Sequence, residues 1–188
     1  MEIYLIRHTK PSIKKNTCYG QSDIDVSETF FEEVKRLKHK LPKQFDIIYL
    51  SPLKRCKKLA EQLTANKTIY IDNLKELNFG DWELKKWDEI DQTDLNKWMD
   101  DFVNVTPPNG ESYRDLFERV RYFWENNIIN NENKTIAIVT HAGVIRSIIA
   151  LILSLNLKST FNLKIDCGRV TCITINNKER TDINYINN

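Results

Sequence analysis

Two kinds of apolar run alternate along the chain. Short continuous runs rich in β-branched and aromatic residues occur at 3–6, at "FDIIYL" (45–50), at "TIYI" (68–71) and at "TIAIVT" (135–140), and each predicts a buried strand. Between them the spacing is helical. Phe30, Phe31, Val34, Leu37 and Leu41 mark one helix, with Ser27 as its expected N-cap and Pro42 as its stop. Leu53, Cys56, Leu59, Ala60 and Leu63 mark a second, for which Ser51 is the expected N-cap and Pro52 the first helical residue. Leu116, Val120, Phe123 and Ile128 line a third, and residues 143–155 form a largely apolar, buried fourth. The segment 84–105 reads as irregular or helical, with Trp87, Trp98 and Phe102. "VTCITI" (170–175) and "TDINYI" (181–186), joined by a polar turn, predict a closing hairpin. Strand and helix in alternation imply an α/β sandwich around a mostly parallel sheet.

Three of the strands end on chemistry. Strand 3–6 runs into Arg7 and His8, strand 45–50 into "SPLKR" with Arg55, and strand 135–140 into His141, Ala142 and Gly143. In an open parallel sheet the carboxyl ends of the strands line one crevice, where ligands bind. Two histidines, two arginines and two helix N-termini gathered there would make an anion pocket suited to phosphate. A neutral imidazole can attack phosphorus, and a second, if protonated, can stabilise the transferring group. The departing alcohol then needs a proton from a carboxylic acid. "LKELNFGDWE" supplies Glu76, while Asp81 and Glu83 are equally near by spacing alone. Ser51 lacks a GxSxG frame and reads as a helix cap before proline rather than a nucleophile. His39, inside "KRLKHK", reads as surface.

Composition narrows the class. The 188 residues fit most simply as one domain, 1–188, and a formal net charge of +2 gives no reason to expect nucleic acid. The longest apolar stretch, "VIRSIIALILSL", contains Arg146 and is too short to span a bilayer, so no membrane partner is expected. The opening "MEIYLIRH" does not read as a secretory leader, and a reducing cytoplasmic setting is the default expectation. The four cysteines show neither CxxC spacing nor a companion histidine pair, and no HExxH stands beside either strand-end histidine; a metal-independent reaction without cofactor is the expectation. Oligomeric state is not legible.

"LIRHT", "SPLKRC", "KELNFGDWE" and "VTHAGVIR", in this order, resemble the histidine phosphatase superfamily, which shares the phosphoglycerate mutase fold. The resemblance implies a three-layer α/β/α sandwich. It also implies a nucleophilic His8, phosphate-binding Arg7, Arg55 and His141, and Glu76 rather than Asp81 or Glu83 as proton donor. "IRHTKP", "CYGQSDIDVS" and "FGDWE" look most like the α-ribazole phosphatase branch of cobalamin synthesis, which makes α-ribazole 5′-phosphate a candidate substrate. By the same resemblance Gln21 and Ser22 are candidates for contacting substrate oxygens; their plain reading is a polar turn. Trp82, Trp87 and Trp98 either cover the pocket or form local core. The implied activity is hydrolysis of a small phosphate ester through a phosphohistidine, with mutase-type transfer or non-catalytic ligand binding as alternatives. Three positions depart from the family's usual pattern: Thr9 and Leu84 stand where glycine is common, and Lys58 where threonine often stands.

Overall fold

The computed structural model describes residues 1–176 and 180–188. Its centre is one six-stranded sheet of order β3-β2-β4-β1-β5-β6. Strands β1 (Glu2–Arg7), β2 (Phe45–Leu50), β3 (Ala65–Tyr70) and β4 (Thr135–Thr140) run parallel, and β5 (Val170–Asn176) and β6 (Arg180–Tyr185) close one edge antiparallel. The polar turn expected between the last two strands lies outside the described residues. The three apolar runs of the inner strands are buried on both sides, as a parallel sheet covered by helices requires. The third strand begins earlier than the apolar "TIYI" suggests. It lies at the sheet edge, where Lys67 and Asn66 remain solvated.

Helices α1 (Phe30–Lys38) and α2 (Lys54–Ala60) cover one face. There Phe30, Val34, Leu37, Cys56 and Leu59 pack with Ile6, Ile48, Leu50 and Val139. The other face carries α3 (Gln92–Asp100), α4 (Tyr113–Asn127) and α5 (Ala142–Leu153), whose Leu95, Leu116, Val120, Phe123, Val144 and Ile148 pack with Leu5, Ile136 and Ile138. This is a three-layer α/β/α arrangement. Segment 84–105 thus contains one regular helix, α3, started by the Asp91 side chain accepting from the Thr93 and Asp94 amides. Ser112 and Asp115 form a reciprocal capping box at the start of α4.

Two expected caps are not used. α1 starts at Phe30 after Thr29, and the Ser27 hydroxyl bonds the Thr29 hydroxyl at 2.9 Å instead. α2 starts at Lys54, not Pro52, with Leu53 in the cap position. Ser51 is fully buried, and its hydroxyl keeps only a long contact, 3.4 Å, with the Leu53 amide at the start of the helix.

The three sequence departures have distinct consequences. Thr9 is fully buried and keeps a negative φ, so this loop does without glycine's freedom. Lys58 pairs with Asp25 at 2.6 Å. Leu84, by contrast, is held at φ +68°, in the left-handed region, with its side chain exposed. A Cβ there costs about 1–2 kcal/mol. Leu84→Gly is therefore expected to stabilise the fold by about 1 kcal/mol after the flexibility of glycine in the unfolded chain is subtracted, read as a higher urea midpoint.

Candidate active site

Strand register brings the site together. Because β4 lies between β1 and β2, pairing Arg7 with Thr140 and Leu50 with Val139, the three strands end at one level. The His8 amide bonds the Thr140 carbonyl at 3.0 Å and the Ser51 amide bonds the Val139 carbonyl at 3.0 Å, so the ladder extends one residue into the site. His8 and His141 are both fully buried, with ring centroids 5.1 Å apart.

The hydrogen bonds fix the two tautomers. Nδ1 of His8 lies 2.6 Å from the Thr9 carbonyl, which can only accept, so Nδ1 carries the proton and Nε2 the lone pair. That Nε2 has no hydrogen-bond partner. Nδ1 of His141 lies 3.2 Å from Nη2 of Arg55, which can only donate, so here Nδ1 holds the lone pair and Nε2–H donates to Ser51 Oγ at 2.8 Å. Cys56 Sγ also lies 3.5 Å from that Nε2.

Burial first, then the Arg55 and Arg7 guanidiniums, push the His8 pKa well below its ordinary 6.5. Burial, then Arg55 and the facing His8, do the same to His141. Both shifts favour the neutral ring, and at His141 Arg55 donates to Nδ1, the nitrogen that would carry the extra proton if this ring is to stabilise the transferring group as a cation. Below about pH 6.5 the unfolded chain therefore binds protons that the folded protein refuses. Stability is full above that pH and falls as pH drops toward the folded values, by up to roughly 1.4 kcal/mol per pH unit for each ring. Urea midpoints at about pH 7.5 and 5.5 check this. The wild type is expected to lose more than a His8→Asn, His141→Asn double variant over the same interval.

The positive charge of the cradle comes from arginines. Arg55 is fully buried; Nη1 donates to the Ser22 carbonyl at 2.9 Å and Nη2 to the Gly20 carbonyl at 2.6 Å, while the Tyr19 ring lies 5.6 Å from the guanidinium carbon. It is held by carbonyls and an imidazole, and among the described residues no carboxylate pairs with it. Arg7 donates through Nη1 to the Ile165 carbonyl, and its Nε is buried without a partner. Such unneutralised forks favour an incoming oxyanion.

Of the three nearby carboxylates, only Glu76 reaches the N-terminus of α5. Its Oε1 accepts from the Gly143 amide at 3.1 Å and the Leu77 amide at 3.0 Å. Asp81 is exposed and bonds Asn109 Nδ2 at 2.9 Å, while Glu83 accepts from the Gln21, Ser22 and Phe79 amides. The irregular segment carrying Glu76 is fixed by Arg119 of α4. Arg119 donates to the carbonyls of Asn73, Lys75 and Glu76 at 2.7, 2.8 and 3.0 Å and pairs with Glu111 at 2.6 Å.

Gln21 and Ser22 lie beside the cradle with their side chains turned inward. The Gln21 amide group donates to the Glu76 carbonyl at 3.1 Å, and the Ser22 hydroxyl donates to Glu83. Their side chains build the wall behind Arg55 and Glu76, and the part facing Arg55 is the Ser22 backbone carbonyl. Trp82 and Trp98 are core; Trp87 alone of the three faces the cleft, with Tyr19, Phe79 and Phe161. His39 is exposed as expected. Ser51, Arg119 and Arg146 are site residues that sequence reasoning missed. Among the described residues, no three His, Cys, Asp or Glu side chains gather closely enough to hold a metal ion, and no helix is long and apolar enough to cross a membrane.

The family model of the histidine phosphatase superfamily (branch 1) matches residues 3–188. The adenosylcobalamin/α-ribazole phosphatase of Escherichia coli K12 is 26% identical over 189 residues, covering 96% of this chain and 93% of its own. Phosphoserine phosphatase 1 of Hydrogenobacter thermophilus is 25% identical over 191 residues, covering 97% and 90%. The crystal structure of the α-ribazole phosphatase from Shigella flexneri superposes with a TM-score of 0.89 at 26% identity, over 100% of this chain and 96% of that one.

Proposed function

The chain belongs to the histidine phosphatase superfamily, and on that premise we propose that residues 1–188 form a single domain hydrolysing a small organic phosphate monoester through a phosphohistidine. One observation carries the reading: among the described residues, a buried His8 presents an Nε2 without a partner beside two arginines with which no carboxylate forms a salt bridge. Arg7 and Arg55 bind the phosphate oxygens. Nε2 attacks phosphorus in line, the bond from phosphorus to the alcohol oxygen breaks, and Glu76 gives that oxygen its proton. Water then attacks the phosphohistidine, Glu76 takes a proton from it, and the P–N bond breaks to restore the lone pair on Nε2. His141 holds Arg55 in place. A dianion arriving beside it raises its affinity for a proton, which would add a third positive charge to the cradle.

The relatives act, by name, on α-ribazole phosphate or phosphoserine, so these are the first two substrates to assay, in a cytoplasmic setting and without a metal. Release of inorganic phosphate, undiminished by a chelator, is the expected result. No release from any small monoester, or loss of activity on chelation, contradicts the proposal.

Gly143 offers a sharper check on the acid. A Cβ there would stand 2.4 Å from Glu76 Oε1. A carboxylate at the end of a flexible side chain can swing aside, so Gly143→Ala should leave the fold intact while displacing the proton donor. Turnover of alkyl phosphates is expected to fall about 100-fold or more. p-Nitrophenyl phosphate, whose leaving group departs without a proton, should lose far less. An equal loss on both would remove Glu76 from the acid role.

A further inference from the structure

Arg146 is the single charged residue of the apolar helix α5. It lies almost one turn beyond Gly143 and lines the same cavity, of about 220 Å³, as Arg7, Glu76 and Gly143. Its guanidinium is fixed on two sides. Nε donates to the Leu163 carbonyl at 3.1 Å, and the Phe161 ring lies 5.0 Å from its central carbon. Among the described residues no carboxylate forms a salt bridge with it, and no hydrogen bond occupies its terminal nitrogens. Withdrawing a guanidinium part-way from water beside Tyr19, Phe79 and Trp87 is costly, and the Glu76 carboxylate across the same cavity offsets only part of that cost. The phosphate does not need it, because Arg7 and Arg55 already flank His8.

We infer that Arg146 is a specificity-determining residue: it receives a carboxylate carried by the alcohol half of the substrate, so the preferred substrates are phosphate monoesters of small hydroxy acids or hydroxy amino acids. The inference rests on the phosphatase reading above and names its substrate class. With Nε already engaged, the fork presents its terminal N–H groups to one planar partner, the geometry of a bidentate carboxylate. A second phosphate would bring two further charges toward Glu76 with no cation left to meet them.

The test compares wild type with Arg146→Gln and Arg146→Lys on O-phosphoserine, 3-phosphoglycerate, phosphoethanolamine, α-ribazole 5′-phosphate and p-nitrophenyl phosphate. Phosphoethanolamine is phosphoserine without its carboxylate, so the pair isolates the proposed contact. Wild type is expected to favour phosphoserine over phosphoethanolamine by about 10-fold or more in kcat/KM, and Arg146→Gln to erase that preference, the size of one charged hydrogen-bonded contact. A circular dichroism spectrum and urea midpoint close to those of wild type show the variant to be folded, and Arg146→Lys should fall between. Equal use of phosphoserine and phosphoethanolamine by wild type, a parallel loss on both in Arg146→Gln, or α-ribazole 5′-phosphate as the best of the five would overturn the inference while leaving the phosphatase reading intact. Wild type inactive on all five, p-nitrophenyl phosphate included, would overturn that reading and the inference with it.

Discussion

Replacing His8 with alanine is expected to lower turnover by about four orders of magnitude or more, the loss seen when the nucleophile of a covalent mechanism is removed. The size follows from the absence of a substitute. Nε2 of His8 is an imidazole lone pair buried without a partner among the described residues, whereas the lone pair of His141 is engaged by Arg55 and its other nitrogen by Ser51. Phosphate binding should survive in part, because Arg7 and Arg55 hold their positions through backbone carbonyls rather than through His8. Calorimetric titration with inorganic phosphate measures the binding, and phosphate release measures the turnover. Residual turnover within about tenfold of wild type would mean that another group attacks phosphorus.

Replacing Arg55 with methionine should have the next largest effect. A fixed donor aimed at developing charge in a buried site contributes about 2–4 kcal/mol of transition-state stabilisation, so kcat/KM should fall roughly 30- to 1,000-fold. The variant has a second signature. Burial and Arg55 are the two leading causes that depress the His141 pKa. Without the guanidinium only part of that depression remains, so the ring should titrate at higher pH than in wild type. An NMR titration of the imidazole resonances detects this. Because the Gly20 and Ser22 carbonyls also lose their donor, some stability is lost as well. A drop in kcat/KM without any upward movement of the His141 titration would show that the charge of Arg55 acts elsewhere.

Much of this architecture is legible in local sequence. A continuous apolar run followed at once by Arg-His or His-Ala-Gly states both a buried strand and what stands at its end, and register then needs only β4 between β1 and β2 to make His8 and His141 neighbours. Glu76 is harder. Spacing cannot separate it from Asp81 and Glu83, because its position depends on the Gly143 amide and on Arg119, far away in the chain. Ser51 is misread for a related reason. A Ser-Pro pair before an amphipathic run is a sound cap signal, yet α2 starts two residues later and leaves the hydroxyl to His141. Gln21 and Ser22 lie next to the cradle as expected, but their side chains face inward to Glu83 and the Glu76 segment. Arg146 did leave a trace, as a lone charge in the apolar stretch "VIRSIIALILSL". A buried helix rarely carries an unpaired cation without a use for it.

The bond formed at Nε2 of His8 is the step on which hydrolysis turns. Wild-type protein mixed with a phosphate monoester and quenched within milliseconds under alkaline conditions, where phosphohistidine persists, can be digested and mapped by mass spectrometry. One phosphoryl group is expected on the peptide containing His8, at Nε2, formed and lost at rates that match turnover. Phosphate release from substrate with no phosphoryl group on His8 at any time, or with the label on His141, would contradict this mechanism.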